Sequence, residues 1–370
     1  MVISGGTVWR AWGQGVFSVG SGLAYEPWDN WRADKGPLAL LRAAILAANP
    51  DNSQPWRFRV TDARMDLFAD MKRNLAAIDP FQRNVHIGLG CALENLLLAA
   101  QANGYRCQVT LLPDDSDHAH VARVDLATGE TVVSDLYQAI PHRHMNRGAY
   151  DTARPVSAEM LTAIQSLGQD DPDLGLVWLT TEAQRRQAGE WIVQATEATI
   201  ADKEQAADIA RWTRSSWSEI QQRKDGITLD AAGLPALILA AAKMLPPLSP
   251  EQNNSSWLQM TRDTHVKTAA AFGILAVRDK QDRAQQLRAG RFLQHIHLWV
   301  TAQGLALHVM HQLPDRAGRE ESLGIEPRFG NALKSLVGDP AWQALSMFRL
   351  GIPTAEARRS PRRPVQDVLI

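Results

Sequence analysis

Two stretches of this 370-residue chain carry apolar residues around most of a helix circumference, and they repeat one another at a fixed separation. The first, Gly88 to Asn103, reads GLGCALENLLLAAQAN and is stopped by Gly104; the second runs over 290–303. Gly90, Leu93, Leu98, Ala102 and Gly104 recur as Gly290, Leu293, Leu298, Ala302 and Gly304, all at an ungapped offset of 200. A helix that is apolar on most sides must be covered by protein on most sides. Two such helices, each central to its own half, predict a chain of two like units that bury them together. The length agrees, since a single core rarely grows beyond about 250–300 residues.

The order of the flanking elements repeats as well. In each half an amphipathic helix, 38–48 and then 157–167, leads through a polar turn into a strand containing Trp, 56–60 and then 176–180, with the buried helix later. Asp62-Ala63-Arg64 turns the first strand back into an alternating run from Met65 to Asp70, a hairpin, and 105–133 reads as short strands with polar turns. The halves differ by an insert. Residues 181–245 read as two or three helices, the last of them LPALILAAAKML, stopped by Pro246-Pro247. A segment of that length, 181–260, predicts a helical lid over the shared core. The expected organisation is an α+β chain: 1–35 an N-terminal arm or the remnant of an export signal, 36–140 a first half, and 141–370 a second half carrying the insert. The halves should pack about a pseudo-twofold axis, as a homodimer would, within one monomer.

With 39 basic and 40 acidic side chains, the chain lacks the excess of positive charge that nonspecific nucleic-acid binding needs, so no nucleic-acid partner is expected. No run reaches the ~18–20 consecutive apolar residues of a membrane span. Residues 1–24, rich in Gly, Val and Ser with the single charge of Arg10, resemble the trailing part of an export signal without its basic start. The other reading is an arm that packs Trp9, Trp12 and Phe17 onto the domain. Cys91 and Cys107 lack CxxC spacing and read as buried thiols. His142/His144, His118/His120 and His295/His297 are i, i+2 pairs, and on the helix expected at 295–297 such residues point in different directions, so no metal site is expected. Ser/His/Asp, HExxH, P-loop and GxGxxG patterns are missing too, which removes the main support for hydrolase, zinc-protease, triphosphatase and dinucleotide-fold readings.

What remains is a concentration of arginine in two segments: Arg143 and Arg147 in HRHMNR, and Arg358, Arg359, Arg362 and Arg363 in ARRSPRRP. Guanidinium binds phosphate as a two-pronged fork and stays charged at any working pH, so the two segments brought together would make a phosphate site; apart, they are a surface loop and a solvated basic tail. A family resemblance bears on that choice. Asn49-Pro50-Asp51-Asn52-Ser53-Gln54-Pro55-Trp56 resembles the S-x-x-N-x-Q-P-W segment of flavin-dependent nitroreductases, and Arg143 to Tyr150 is similar to their R-x-S-x-R-x-x-[FY] segment. The buried helix followed by Gly304-Leu305 resembles their late helix ending in GLG, and Arg358 to Pro364 their terminal phosphate-contacting segment. The likeness spans most of 36–370 apart from the insert, and is greatest to the Acg-type branch, in which two nitroreductase units are fused. Members of that branch often begin with a twin-arginine export signal. The chain as written points to the cytoplasm, or to the periplasm if such a signal has been trimmed.

The resemblance implies a nitroreductase-like fold and one FMN per chain, bound between the halves. It implies that Arg143 and Arg362 or Arg363 hold the phosphate, that Arg147 lies near the pyrimidine edge, and that Asn49, Asn52 and Gln54 come from the first half. Met145 stands where the family has a phosphate-binding Ser, and Asn49 replaces the Ser of S-x-x-N, so a hydroxyl donor is missing at each. Family position puts His311 and Gln312 near the flavin N5 edge, Gln312 as a donor and His311 as a proton source or a structural residue. The second half has Gln169-Asp170-Asp171-Pro172 where the Asn/Gln loop should be, which implies a vestigial second pocket. The implied function is an FMN-dependent oxidoreductase that takes hydride from NAD(P)H or another reductant and passes it to a small organic acceptor. The alternative is a protein that sequesters FMN beneath its lid without turnover.

Overall fold

Residues 11–370, apart from Pro247, are described by the structure, a computed structural model. Helix α1, Pro37–Ala44, starts at Gly36, whose φ of 64° suits glycine, with Pro37 in the first turn. It ends earlier than the expected 48, because the chain tightens at Ile45 into turns that expose successive carbonyls. Strands β1, Trp56–Val60, and β2, Arg64–Ala69, form the expected hairpin, with Trp56 opposite Ala69. Helix α2, Arg83–Ala102, begins before the expected Gly88 because Asp79 caps it, accepting a hydrogen bond from the Val85 amide at 3.1 Å. Strands β3, Tyr105–Leu111, and β4, His120–Thr128, complete an antiparallel sheet of order β1-β2-β4-β3.

The second half opens with α3, Ala158–Ser166, and β5, Leu174–Leu179. Among the described residues, 181–245 hold four helices rather than two or three, α4, Glu182–Ala201; α5, Lys203–Trp212; α6, Trp217–Arg223; and α7, Ala236–Met244; a fifth, α8, Pro250–Met260, follows. Four of these start on a polar N-cap, Thr181, Asp202, Ser216 and Ser249, whose side chains accept from backbone amides of the first turn. In sequence such residues look like loop, which is why the number of helices came out low. A π-helical turn, Thr261–Val266, leads back to the core. Strand β6, Ala271–Val277, helix α9, Arg283–Ala302, strand β7, Ala306–Val309, helices α10, Gln312–Leu323, and α11, Arg328–Val337, and strand β8, Gln343–Gly351, complete the half. Its sheet runs β5-β6-β8-β7, the same order as the first.

Helices α2 and α9 cross between the sheets at the repeated glycines. A methyl group added at Gly90 would strike the Leu287 carbonyl, and one at Gly290 would strike the Ile87 carbonyl. Those two contacts are the same pair shifted by 200, as a twofold relation requires. Around the crossing, Arg291 and His295 each lie 3.0 Å from Glu94, and Gln294 donates to Asn95 at 2.8 Å. Cys91 is buried here beside the Gly290 carbonyl, and burial pushes its thiol up to about 12. By length and composition α2 alone among the described residues could cross a membrane, yet 83% of its apolar window is buried in the protein.

Two terminal segments complete the first half. The C-terminal tail lies alongside β1, where Phe58 N–H donates to Val368 at 2.8 Å and Ile370 N–H donates to Phe58 at 2.9 Å. At the other end, Trp9 lies outside the described residues. Trp12 and Phe17 do not pack onto the domain; they are 65% and 67% exposed and lie against one another, 6.1 Å between ring centres. Glycine turns at Gly15 and Gly20 hold that stretch as a series of bends, and the buried part of the arm is Ala24, Tyr25 and Trp28.

Candidate functional site

The turn that ends α1 leaves the carbonyls of Leu46 and Ala47 without helical partners, and two arginines from distant parts of the chain take them up. Arg143 donates to Leu46 at 2.9 Å, and Arg362 donates to Ala47 at 3.2 Å and to the side chain of Asn52. Arg362 reaches this place because the tail is tied to β1, and its guanidinium lies 4.9 Å from the centre of the Trp28 ring. The middle of the chain, its C-terminus and the asparagine loop therefore meet. Arg143 and Arg362 are only 2% and 3% exposed.

The electrostatics of this cluster are one-sided. The hydrogen-bond partners of both guanidiniums are carbonyls, an amide and the His297 ring, with no carboxylate among them. Burial pushes Arg143 down to about 10, and burial together with Arg143 lowers Arg362 well below its ordinary range. His144 and His297 are held well below theirs by burial and then by Arg143, so both rings are neutral at pH 7. The Nε of Arg143, the Nε of Arg362 and the Nδ1 of His144 are buried with no partner. Buried cations are normally paired, and buried donors normally satisfied. A phosphate group meets both needs, bringing negative charge and several acceptor oxygens to unused donors.

The loop that frames the cluster is strained in a way that sequence does not reveal. Asp51, Asn52 and Gln54 have φ of 47°, 53° and 53°, a region costly for residues other than glycine. Hydrogen bonds hold the conformation. Asn49 accepts from the Gln54 amide at 2.8 Å and donates to Ala47 at 3.2 Å; Asn52 donates to Pro361 at 2.9 Å; the Gln54 side chain accepts from the Arg363 amide at 2.8 Å. Asn49 thus spends its side chain inside the loop and Gln54 ties the loop to the tail, while Arg363 binds Gln54 and the tail rather than joining the Arg143/Arg362 pair. Gly88 on α2 lets the loop approach, since an added methyl would come within 2.8 Å of Pro50.

Arg147 lies away from that pair, next to Asp51 and donating to Ala231 at 3.3 Å. Asp51 is pushed up to about 6 by burial, against the pull of Arg147. Arg349, fully buried, fixes the 146–148 segment by donating to Gly148 at 2.7 Å and Asn146 at 3.2 Å. Met145 faces the same strand pair with its sulfur 3.3 Å from the Val309 amide, the place where a hydroxyl was expected. His311 and Gln312 stand at the start of α10, where His311 Nδ1 and Gln312 Oε1 have no partner. Burial, and then the charge of Arg83, push His311 to about 3. The ring is therefore neutral at pH 7, with one nitrogen able to donate and the other to accept a hydrogen bond.

The insert closes the site. Asn52 and Gly226 exchange hydrogen bonds at 3.0 and 3.2 Å, Gln54 donates to Lys224 at 2.8 Å, and Arg73 pairs with Asp225 at 2.8 Å. Residues 224–233 thus form a strap from the asparagine loop to Arg147. The loop between α3 and β5 is shut differently. There Arg288, the counterpart of Gly88, pairs with Asp171 at 2.9 Å and Asp173 at 2.7 Å, and the Phe292 ring covers Gly168.

Trp28, His297 and the two carbonyls were not foreseen as parts of the site. Carbonyls carry no sequence signal. His297 carries one: at the offset of 200 it stands where the first buried helix has Leu97.

No family model matches the chain. In sequence it is similar to a Mycobacterium tuberculosis protein named "Putative NAD(P)H nitroreductase Rv3131", with 25% identity over 276 residues, 72% of this chain and 73% of the relative. It is also similar to the "Putative NAD(P)H nitroreductase acg" of the same organism, 33% identical over 94 residues, 25% of this chain and 28% of that one. Among solved structures, an FMN-dependent nitroreductase of Mycobacterium smegmatis, determined in complex with NADPH, aligns over 63% of this chain and 96% of its own, with 16% identity and a TM-score of 0.41.

Proposed function

We propose that this chain, a member of the nitroreductase superfamily, is an FMN-dependent oxidoreductase built as two fused copies with one working site between them. The observation that carries the reading is the pair of buried, carboxylate-free guanidiniums whose Nε atoms are unused. The repeated strand order and the reciprocal glycine contacts support the two-copy reading.

When bound, FMN would supply hydride acceptance and donation, the chemistry that the side chains themselves lack. The residues do the rest. Arg143 and Arg362 hold the phosphate, with Trp28 under Arg362 and Asn52 fixing its fork. Asn49 and Gln54 brace the loop in its strained form. Arg147 is a fixed cation at the pyrimidine end and favours the reduced, negatively charged state of the ring. Gln312 and His311 offer hydrogen bonds at the N5 edge. Met145 takes the place of a phosphate-binding hydroxyl, which lowers affinity by roughly 0.5–1.5 kcal/mol.

The strap over the site favours a second reading, in which FMN is sequestered and nicotinamide shut out. Anaerobic addition of NADPH or NADH to the purified, FMN-loaded protein separates the two. Bleaching of the flavin band supports the oxidoreductase, and persistent colour supports sequestration. A protein that neither carries FMN nor takes it up on reconstitution overturns both.

A further inference from the structure

The N-terminal arm takes no part in the reading above, yet it is bonded both to the insert and to the tail that carries Arg362. Ala24, fully buried, is held at both of its backbone groups. Its N–H donates to the side chain of Gln221 on α6 at 3.0 Å, and its carbonyl accepts from the Arg362 amide at 2.7 Å. Gln221 holds the arm a second time, donating to the Ser21 carbonyl at 3.0 Å. A continuous line of hydrogen bonds therefore runs from the insert, through one residue of the arm, to the arginine of the phosphate site.

Glycine lets the arm lie this close. Gly15 has a φ of 65°, and a methyl added there would strike the ring of Trp217, the first residue of α6. Helix α7 supplies a further tie through Lys243, its single charged residue. Lys243 pairs with Asp230 of the strap at 2.5 Å and donates to the Gly15 carbonyl at 3.0 Å. Lys243 and Asp230 are 9% and 1% exposed, so salt screens the pair little. Drawing such a pair apart inside the protein leaves each charge without its partner, which holds the segments in one arrangement.

We propose that the arm is a latch on the insert: residues 15–24 fasten α6, α7 and the strap to the Arg362 segment, and the site opens only when the arm lifts. What passes through the opening, FMN or a reductant, rests on the oxidoreductase reading; the fastening itself does not. The strap is gripped at the site by Asn52, Gln54 and Arg147, and through Asp230 it is gripped by the arm as well. A gate that serves entry and exit alike changes how fast a ligand exchanges and leaves its affinity nearly as it was. Damage to a phosphate ligand does the opposite, speeding exit alone and weakening binding.

The test uses the full-length protein and the variant Q221A, which removes the ties to Ser21 and Ala24 and leaves the side chains at the FMN site as they are. In the flavin-free protein, hydrogen exchange of the strap amides, Gly226 among them, should quicken by about tenfold in Q221A, with the amides of α2 unchanged. That factor equals about 1.4 kcal/mol, within the range for two lost hydrogen bonds. With FMN, stopped-flow fluorescence should show association and dissociation both faster by about tenfold, and Kd within about threefold of the wild type. The double variant K243M/D230N, which cuts the other tie without stranding a charge, should act in the same way. Strap exchange that is alike in wild type and Q221A overturns the latch, whether or not the protein takes up FMN. Faster dissociation alone, with a matching loss of affinity, overturns it too and makes Gln221 a support for Arg362. Faster strap exchange in a protein that takes up no FMN upholds the latch and removes the FMN reading.

Discussion

The loops after α1 and α3 each lead into the edge strand of a sheet of the same order, and they handle buried charge in opposite ways. In the second half Arg288 is matched by Asp171 and Asp173, and the Phe292 ring fills the space over Gly168. In the first half the counterpart of Arg288 is Gly88, the loop moves in against it, and the cations come from elsewhere in the chain with no acid to meet them. A fold that repeats a strand order need not repeat a site. Where charge is balanced internally the loop is a structural joint, and where it is left unbalanced the fold requires an anion from outside.

The largest effect should come from removing that imbalance. R143M and R362M are each expected to weaken FMN binding by ~100-fold or more, about 2.8 kcal/mol, as measured by quenching of flavin fluorescence. The same changes should raise the melting temperature of the flavin-free protein, because each deletes a buried charge with no counter-ion. A melting temperature that falls in both variants would show the cations to be compensated already, and the contrast between the loops would be lost.

Next in size is the axis on which both loops depend. G90A and G290A each push a methyl into the opposite helix backbone and should cost about 1–3 kcal/mol in chemical denaturation, by similar amounts because the contacts are reciprocal. A large inequality between them would break the twofold relation. Smaller again is R288M. Its ion pairs are partly exposed, so roughly 0.5–1 kcal/mol of stability should be lost, with FMN affinity unaltered. Loss of FMN from R288M would mean that the second loop is not the closed joint its geometry describes.

What could be seen beforehand follows the same division. Periodicity and the offset of 200 carried the central helices, because burial on several sides leaves its mark in the apolar residues of α2 and α9. The Asn/Gln loop and the arginine segments were legible as motifs. Their assembly was not. The acceptors that hold Arg143 and Arg362 are main-chain carbonyls, which any residue supplies, and the strain at Asp51, Asn52 and Gln54 is a property of φ that these residue types do not announce. The strap of 224–233 left no trace in the sequence, since Lys224, Gly226 and Ala231 act through their backbones. Asp315 gave no signal because its partners, Arg83 and Asn84, lie more than two hundred residues earlier.

The smallest effect is a matter of slope, and it sets a matched buried carboxylate against an outnumbered one. Burial alone would raise Glu94, but the hydrogen bond from His295 and the charge of Arg291 overcome it, so its folded value lies below the ordinary one. Stability from Glu94 is therefore present above the unfolded value and lost as pH falls through the folded one. Asp315 behaves in the reverse sense. Its folded value of about 7 stands above the ordinary 3.8, so between those limits the folded chain keeps a proton that the unfolded chain has released. Stability must fall as pH rises through that window and level off beyond it. Denaturation of the flavin-free wild type and D315N at a series of pH values should show the stability of the wild type relative to D315N declining through that window, since Asp51, Asp79, Glu94 and the buried histidines contribute to both proteins alike. If the difference between the two proteins does not change with pH, Asp315 is ionised throughout and Arg83 matches it as fully as Asp171 and Asp173 match Arg288.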